Sequence, residues 1–334
     1  MPNRKALIFC DYFFTKETFE DVVKGNPFWN DIERKYIQTD WPKEAYKSND
    51  ELQEFNEYPE NALKEVEDCE IIINHMAGID EKLLKSPKKL KIIGSIRSAP
   101  VNINLDYTSN KDIPVVSAPQ RSVKAVAEYT VGLIICARRN IIDGHNSLQK
   151  GEWKQTHYFL NEVAPPPISK QKIGLIGLGN IAKEIVRLLK PFNCQILVYD
   201  PFVEKEVMDK LGVKKVELDN LLSESDLISL HVRYTKETEE MIGEEEFKKM
   251  KDSAIFINTA RGEIVEENAL YNALKNKSIK SAVLDAYQNE PLPEDSKLLD
   301  LNNVITTPHI GGASISTAYD GSAVVVEEIE KYFK

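Results

Sequence analysis

From Lys172 onward, short runs rich in Ile, Leu and Val recur with helical stretches between them: KIGLIG, CQILVYD, DLISLHV, SAIFINT, SAVLDAY and NVITTPH. Runs that are apolar at nearly every position suit strands buried on both faces, and strand alternating with helix is the pattern of a parallel sheet covered by helices on both sides. A second series of the same style precedes it, KALIFC, CEIIINHM, KLKIIGSI and IPVVSA, with helical segments such as ENALKEVED and DEKLLKSP between. At 334 residues the chain exceeds the size at which one core stops growing. The expected fold is therefore α/β, with two doubly wound parallel-sheet domains of the Rossmann/flavodoxin-like kind. Between the two series, SVKAVAEYTVGLIICARRNIIDGHNSLQ reads as one long helix, too apolar around its circumference for a one-sided surface helix. That predicts burial between domains or against a second subunit. VAPPPIS, residues 163–169, reads as a stiff extended linker, and SISTAYDGSAVVVEEIEKYFK as a closing helix.

Charge narrows the partners. A net charge of -10 argues against nucleic acid and against an anionic membrane, both of which need a basic face, and leaves a small molecule as the expected ligand. Cys10, Cys69, Cys136 and Cys194 are far apart and lack metal-ligand spacing, so they read as reduced core thiols of a cytoplasmic protein, with no metal expected. The N-terminal MPNRKALIFCDYFF has its apolar run cut by Asp11 and reads as a first strand, not a signal peptide. No stretch is long enough to span a membrane.

KIGLIGLGNIAKEIVRLLK is a strand running into Gly177-Leu178-Gly179-Asn180-Ile181-Ala182 and then a helix. The first glycine makes a tight turn, the second lets backbone N–H groups approach a pyrophosphate, and the small Ala182 lets helix pack on strand. Alone this motif is weak, a plain strand-to-helix turn. Here the next strand, ILVYD, ends in Asp200, where a carboxylate accepts hydrogen bonds from an adenosine ribose and repels a 2′-phosphate. The expected cofactor is NAD, bound by Gly177, Gly179, Asn180, Ile181 and Asp200. Candidates from the later segments are His231, Thr235, Thr259, Ala260, Asp285, Gly311 and Gly312.

Three further residues follow strands: Arg261 after SAIFINT, Glu290 after SAVLDAY, and His309 after VITTP. Ligands of an open parallel sheet bind outside the carboxyl ends of its strands, so the three can converge. Hydride transfer at a carbinol carbon needs a proton handled at the oxygen, and imidazole titrates near neutrality. A neighbouring carboxylate fixes the ring and favours its protonated form, and an arginine offers paired donors to a substrate carboxylate. Read singly, each has a structural reading as well: an arginine in a cross-cleft pair, a glutamate in a loop, a histidine capping a strand. His145 and His157 sit in polar segments and read as solvated, whereas His75, after CEIIIN, is expected at the cleft.

The order GLIGLGNIA, VYDP, HVRYTKET, INTARGEIV, LDAYQNEP, TPHIGG resembles the D-isomer-specific 2-hydroxyacid dehydrogenases, in particular their phosphoglycerate-dehydrogenase-like branch. The resemblance implies an NAD-linked dehydrogenase in which Arg261 binds the substrate carboxylate, His309 is the acid/base and Glu290 supports it. It implies a homodimer built around the long helix. It also implies a substrate domain, residues 1–101 and 305–334, into which the cofactor domain, 102–304, is inserted. The chain departs from the family in GSIRSAPVNINL, where Arg97, Ser98 and Ala99 occupy the positions whose backbone amides would hold the carboxylate. Arg97 there raises the expectation of a second anionic group on the substrate. Two rivals stand beside the dehydrogenase: formate dehydrogenase, which pairs its histidine with glutamine where this chain has Glu290, and a dinucleotide-sensing scaffold similar to the C-terminal-binding corepressors.

Overall fold

The structure is a computed structural model that describes residues 4–40, 47–153 and 164–334. The chain forms two compact units, residues 1–122 with 313–334, and residues 123–312.

The first unit is built on a five-stranded sheet of β1 (Arg4–Cys10), β2 (Ile32–Gln38), β3 (Ile71–Asn74), β4 (Ile92–Ser95) and β5 (Val115–Ser117), in the order β2-β1-β3-β4-β5. Every pairing is parallel. Alternate residues feed opposite faces, as the pleat demands: Ile8, Ile71 and Ile73 join one apolar layer, and Leu7, Phe9 and Ile72 the other. The C-terminal helix Ile315–Phe333 returns to this sheet, burying Val325, Val326 and Ile329 in the first layer. A Cβ at Gly94 would lie 2.3 Å from Val325, so a bare backbone on β4 is what lets the helix close.

The second unit carries a seven-stranded sheet of β6 (Lys172–Ile176), β7 (Gln195–Tyr199), β8 (Lys214–Lys215), β9 (Leu227–Leu230), β10 (Ile255–Asn258), β11 (Ser281–Leu284) and β12 (Val304–Thr306), in the order β12-β11-β10-β9-β6-β7-β8. Its pairings are also parallel, and its strands split their side chains between two layers, Phe256 to one and Ile255 and Ile257 to the other.

Two details depart from the sequence reading. The units divide after Ser122 and after Gly312, not at 101/102 and 304/305, because β5 pairs with β4 while β12 pairs with β11. The long apolar helix is two, Val123–Arg138 and Ile141–Gln149, separated at Asn140, whose φ of 52° is left-handed. Asparagine tolerates that region better than most residues, so the chain can turn there. His145 is exposed, as expected, whereas His157 and the first residue of VAPPPIS lie outside the described residues.

Candidate active site

The glycine loop follows β6 directly. Gly177 has a φ of 93°, and a Cβ on it would stand 2.9 Å from the backbone of His231, so both conformation and space require glycine. Gly179 has open space where a Cβ would be, and with Asn180 it lies exposed at the start of the helix Asn180–Leu189, with no side-chain cap. The first N–H groups of that helix therefore face outward, as an anion needs them to. Asp200 accepts the Leu178 N–H at 2.8 Å through one oxygen and the Phe202 N–H at 2.9 Å through the other, so it ties the loop to the end of β7. Each oxygen keeps a lone pair for a ribose hydroxyl.

His231 packs against the loop with Nε2 buried and without a partner, and burial alone pushes its pKa down to about 3. An orphaned imidazole atom beside a bare glycine cradle fits a bound dinucleotide. Thr259 bonds to Thr130 at 2.9 Å; Thr130 spends its own proton on the Val126 carbonyl, so Thr259 is the donor. The Ala260 N–H is held by Asn258, and Thr235 sits in a turn with Thr238.

The acid/base pair lies past β11 and β12. Nδ1 of His309 is 2.6 Å from one oxygen of Glu290, and the other oxygen accepts the Tyr287 N–H at 3.0 Å. His309 has a φ of 51°, a strained region for a residue with a Cβ, of the kind that persists where surroundings over-determine it. Those surroundings are Asp285 and Tyr287. Asp285 takes the Thr307 hydroxyl and the Ile310 N–H on one oxygen and the Gly311 N–H on the other, gripping the loop on both sides of His309. The Tyr287 hydroxyl shares its proton between the Leu284 and Thr307 carbonyls and accepts the Thr307 N–H. Asp285 and Gly311, expected at the cofactor, thus also serve to position the histidine.

Electrostatics favour the charged pair. The hydrogen bond that His309 donates to Glu290 raises the His309 pKa, against burial and the Arg261 charge, while the Glu290 and Asp285 charges add to the rise. Burial alone would raise the Glu290 pKa; its bonds to His309 and Tyr287, and the His309 and Arg261 charges, outweigh that and lower it.

Arg261 is exposed and donates to the Ala260 carbonyl at 2.7 Å, and it makes no ion pair among the described residues. Its aim depends on Gly262, where a Cβ would fall 1.8 Å from the Tyr287 carbonyl carbon. Only hydrogen fits, and the arginine's turn is pressed against the backbone that leads to Glu290. Gly262, Tyr287, Thr130 and Asp285's grip escaped the sequence reading as positioning groups. The glycine after Arg261 was the one local signal.

In the first unit, Arg97 does not offer a free charge. Its guanidinium pairs with Glu54, donating to both the carboxylate and the backbone carbonyl, and its side chain is only 12 % exposed. That removes the ground for expecting it to meet a second anionic group. Ser98 and Ala99 are exposed, and among the described residues their N–H groups meet no acceptor. His75 is buried against Asp11. No group of His, Cys, Asp and Glu that could hold a metal occurs among the described residues, and no helix there is long and apolar enough to cross a membrane.

A family model described as D-isomer specific 2-hydroxyacid dehydrogenase, NAD binding domain, matches residues 131–311. The D-3-phosphoglycerate dehydrogenase of Archaeoglobus fulgidus is 36% identical over 81% of this chain and 50% of its own length. The hydroxypyruvate reductase of Thermotoga maritima is 37% identical over 79% of this chain and 83% of its own. The solved structure of D-lactate dehydrogenase with NAD+ from Lactobacillus jensenii superposes with a TM-score of 0.77 at 26% identity, covering 97% of this chain and 94% of that one. The chain spans about half the length of the phosphoglycerate dehydrogenases it matches, 50% and 52% for two archaeal examples.

Proposed function

The chain belongs to the D-isomer-specific 2-hydroxyacid dehydrogenase family, and on that premise we propose that it is an NAD-dependent oxidoreductase interconverting a D-2-hydroxy acid and its 2-keto acid. The observation that carries this reading is the His309–Glu290 pair, clamped at 2.6 Å past two adjacent strand ends in the same unit as the glycine loop. NAD, when bound, supplies the hydride donor or acceptor. In the reducing direction His309 gives a proton to the carbonyl oxygen. Glu290 occupies Nδ1, so Nε2 is the atom that faces the substrate. Arg261 holds the carboxylate through its paired guanidinium donors. Since Glu54 neutralises Arg97, the acid proposed is singly charged.

The pH dependence follows from the pair. Reduction needs imidazolium, so it is lost as pH rises through the elevated His309 pKa. Glu290→Gln should move that limb to lower pH. A carboxylate gives one acceptor oxygen each to Tyr287 N–H and His309 Nδ1–H, whereas an amide has a single oxygen and cannot serve both. A pH–rate profile of the Glu290→Gln enzyme that overlays the parent's would detach Glu290 from the proton-handling role.

Asp200 supports NAD over NADP. The residues after it are Pro201, Phe202, Val203 and Glu204, none of which could neutralise a 2′-phosphate. Like charges apposed in a partly desolvated cleft cost several kcal/mol, so NADH should be preferred by about two orders of magnitude or more. Asp200→Ala should narrow the preference and also weaken NADH binding, because Leu178 N–H loses its acceptor. Equal catalytic efficiency with NADH and NADPH in the parent would contradict this role.

The first unit is proposed as the substrate domain and the second as the inserted cofactor domain. A homodimer is supported by Ile141, Leu148 and Trp153, which the second of the two central helices and the turn after it leave exposed. A cytoplasmic location is supported by four free cysteines, two of them buried.

A further inference from the structure

In the second unit, the helix Val123–Arg138 lies on one face of the sheet, its Ile134 and Ala137 in the same apolar layer as Ile255 and Ile257 of β10. Its Thr130 bonds to Thr259, just past the end of β10, at 2.9 Å. From Thr130 to Arg138 a helix rises about 12 Å, and from Thr259 back to Ile255 a strand spans about 13 Å, so Arg138 arrives where β10 begins. Asp226 and Lys280 flank that start. The Ile255 N–H bonds to the Asp226 carbonyl, and the Lys280 N–H to the Ala254 carbonyl, both at 3.0 Å. This is the sheet edge opposite the glycine loop.

Arg138 has no counter-ion there. It is only 8% exposed, its Nε is sealed from solvent, and none of its N–H groups meets an acceptor among the described residues. Lys280 is half-buried, and its ammonium likewise has no acceptor among them. Asp226, the carboxylate whose charge reaches Arg138, is engaged elsewhere: one oxygen accepts the Lys172 N–H and the other the Lys251 ammonium, both at 2.8 Å. Glu224 pairs with the Lys172 side chain. Burial lowers the Arg138 pKa against the Asp226 charge, and burial with the Arg138 charge lowers that of Lys280. The last turn of a helix favours one cation and does not account for a second beside it. Cations withdrawn from water without a partner cost stability, and a bound anion would offset that cost.

We propose that Arg138 and Lys280 form a binding site for a small oxyanion of the phosphate type, at the sheet edge away from the glycine loop and the catalytic pair. A doubly charged tetrahedral group suits the two cations, since the guanidinium offers donors in a plane and the ammonium a compact second charge. Inorganic phosphate and a phosphate monoester share that chemistry. The test follows thermal unfolding of the full chain, with saturating NADH to occupy the glycine loop, as inorganic phosphate or glycerol phosphate replaces chloride at constant ionic strength. A gain with both anions would assign the site to the phosphate group of either source, and a gain with the inorganic ion alone would restrict it to the free ion.

At about 20 mM phosphate the parent midpoint should rise by roughly 2 to 5 °C, as mass action requires of a site with a dissociation constant of about 1 mM. Arg138→Met should abolish that gain. In chloride alone the same variant should unfold at a higher temperature than the parent, because methionine fills the space without an unpaired charge. Should Arg138→Met fail to fold, Lys280→Gln, at a less buried position, carries the test and should weaken the phosphate response severalfold. General stabilisation by phosphate acts on parent and variants alike, so the difference between them is what counts. A parent gain kept in the variants would overturn the proposal. So would a parent indifferent to phosphate whose Arg138→Met form sediments as a smaller species, which would place the arginine at an interface between copies of this chain.

Discussion

Replacing His309 with asparagine is expected to lower turnover by roughly two to four orders of magnitude while NADH binding is retained, the usual scale for losing a general acid/base. Asparagine is the better probe than alanine here because His309 sits at a φ of 51°. Asparagine enters that left-handed region readily, so the grip of Asp285 on Thr307, Ile310 and Gly311 should survive and the loss can be assigned to the imidazole. With alanine, relaxation of the strained turn would be mixed into the result. Steady-state kinetics together with NADH fluorescence titration separate the two effects. Turnover within a few-fold of the parent would remove His309 from the chemistry.

The second large effect is expected at Arg261. Its guanidinium bonds only to its own neighbour's carbonyl and pairs with no carboxylate among the described residues, so the charge is available to a ligand. A charge-assisted hydrogen bond contributes about 1.5 to 3 kcal/mol, and Arg261→Ala should therefore raise KM by roughly ten- to a hundredfold and depress turnover as well. Lysine should rescue it poorly, since a point charge does not reproduce a planar two-donor fork. Unchanged kinetics in Arg261→Ala would return the residue to a structural role.

What could be read from the sequence follows from how locally each feature is encoded. Strands such as Ile255–Asn258 are apolar at nearly every position and bounded by polar residues, so their type and order were legible, and with them the strand ends that carry Arg261, Glu290 and His309. The glycine loop was legible because Gly177 and Gly179 precede a helix and Asp200 ends the following strand. The unit boundaries were less so: β5 is three half-buried residues long, and only its pairing with β4 assigns it to the first sheet. Positioning groups were hidden for a different reason. Tyr287 reads as one more core aromatic until its hydroxyl is seen bridging the ends of β11 and β12. Arg97 looked like a free loop cation because Glu54, at a φ of 50°, is brought to it only by the folded chain. Asp11 announced itself by cutting an apolar run, but its partner, His75, is fixed by the pairing of β1 with β3.

The central claim is that this chain turns over 2-keto acids and does not merely bind dinucleotide. Its most direct test is NADH consumption by the purified full chain, followed by loss of nicotinamide absorbance, across a panel of 2-keto acids that includes glyoxylate, pyruvate and hydroxypyruvate. At least one acid should be reduced at a saturable, enzyme-dependent rate that His309→Asn abolishes. Tight NADH binding with no acid reduced above the uncatalysed rate would contradict the claim and favour a dinucleotide sensor.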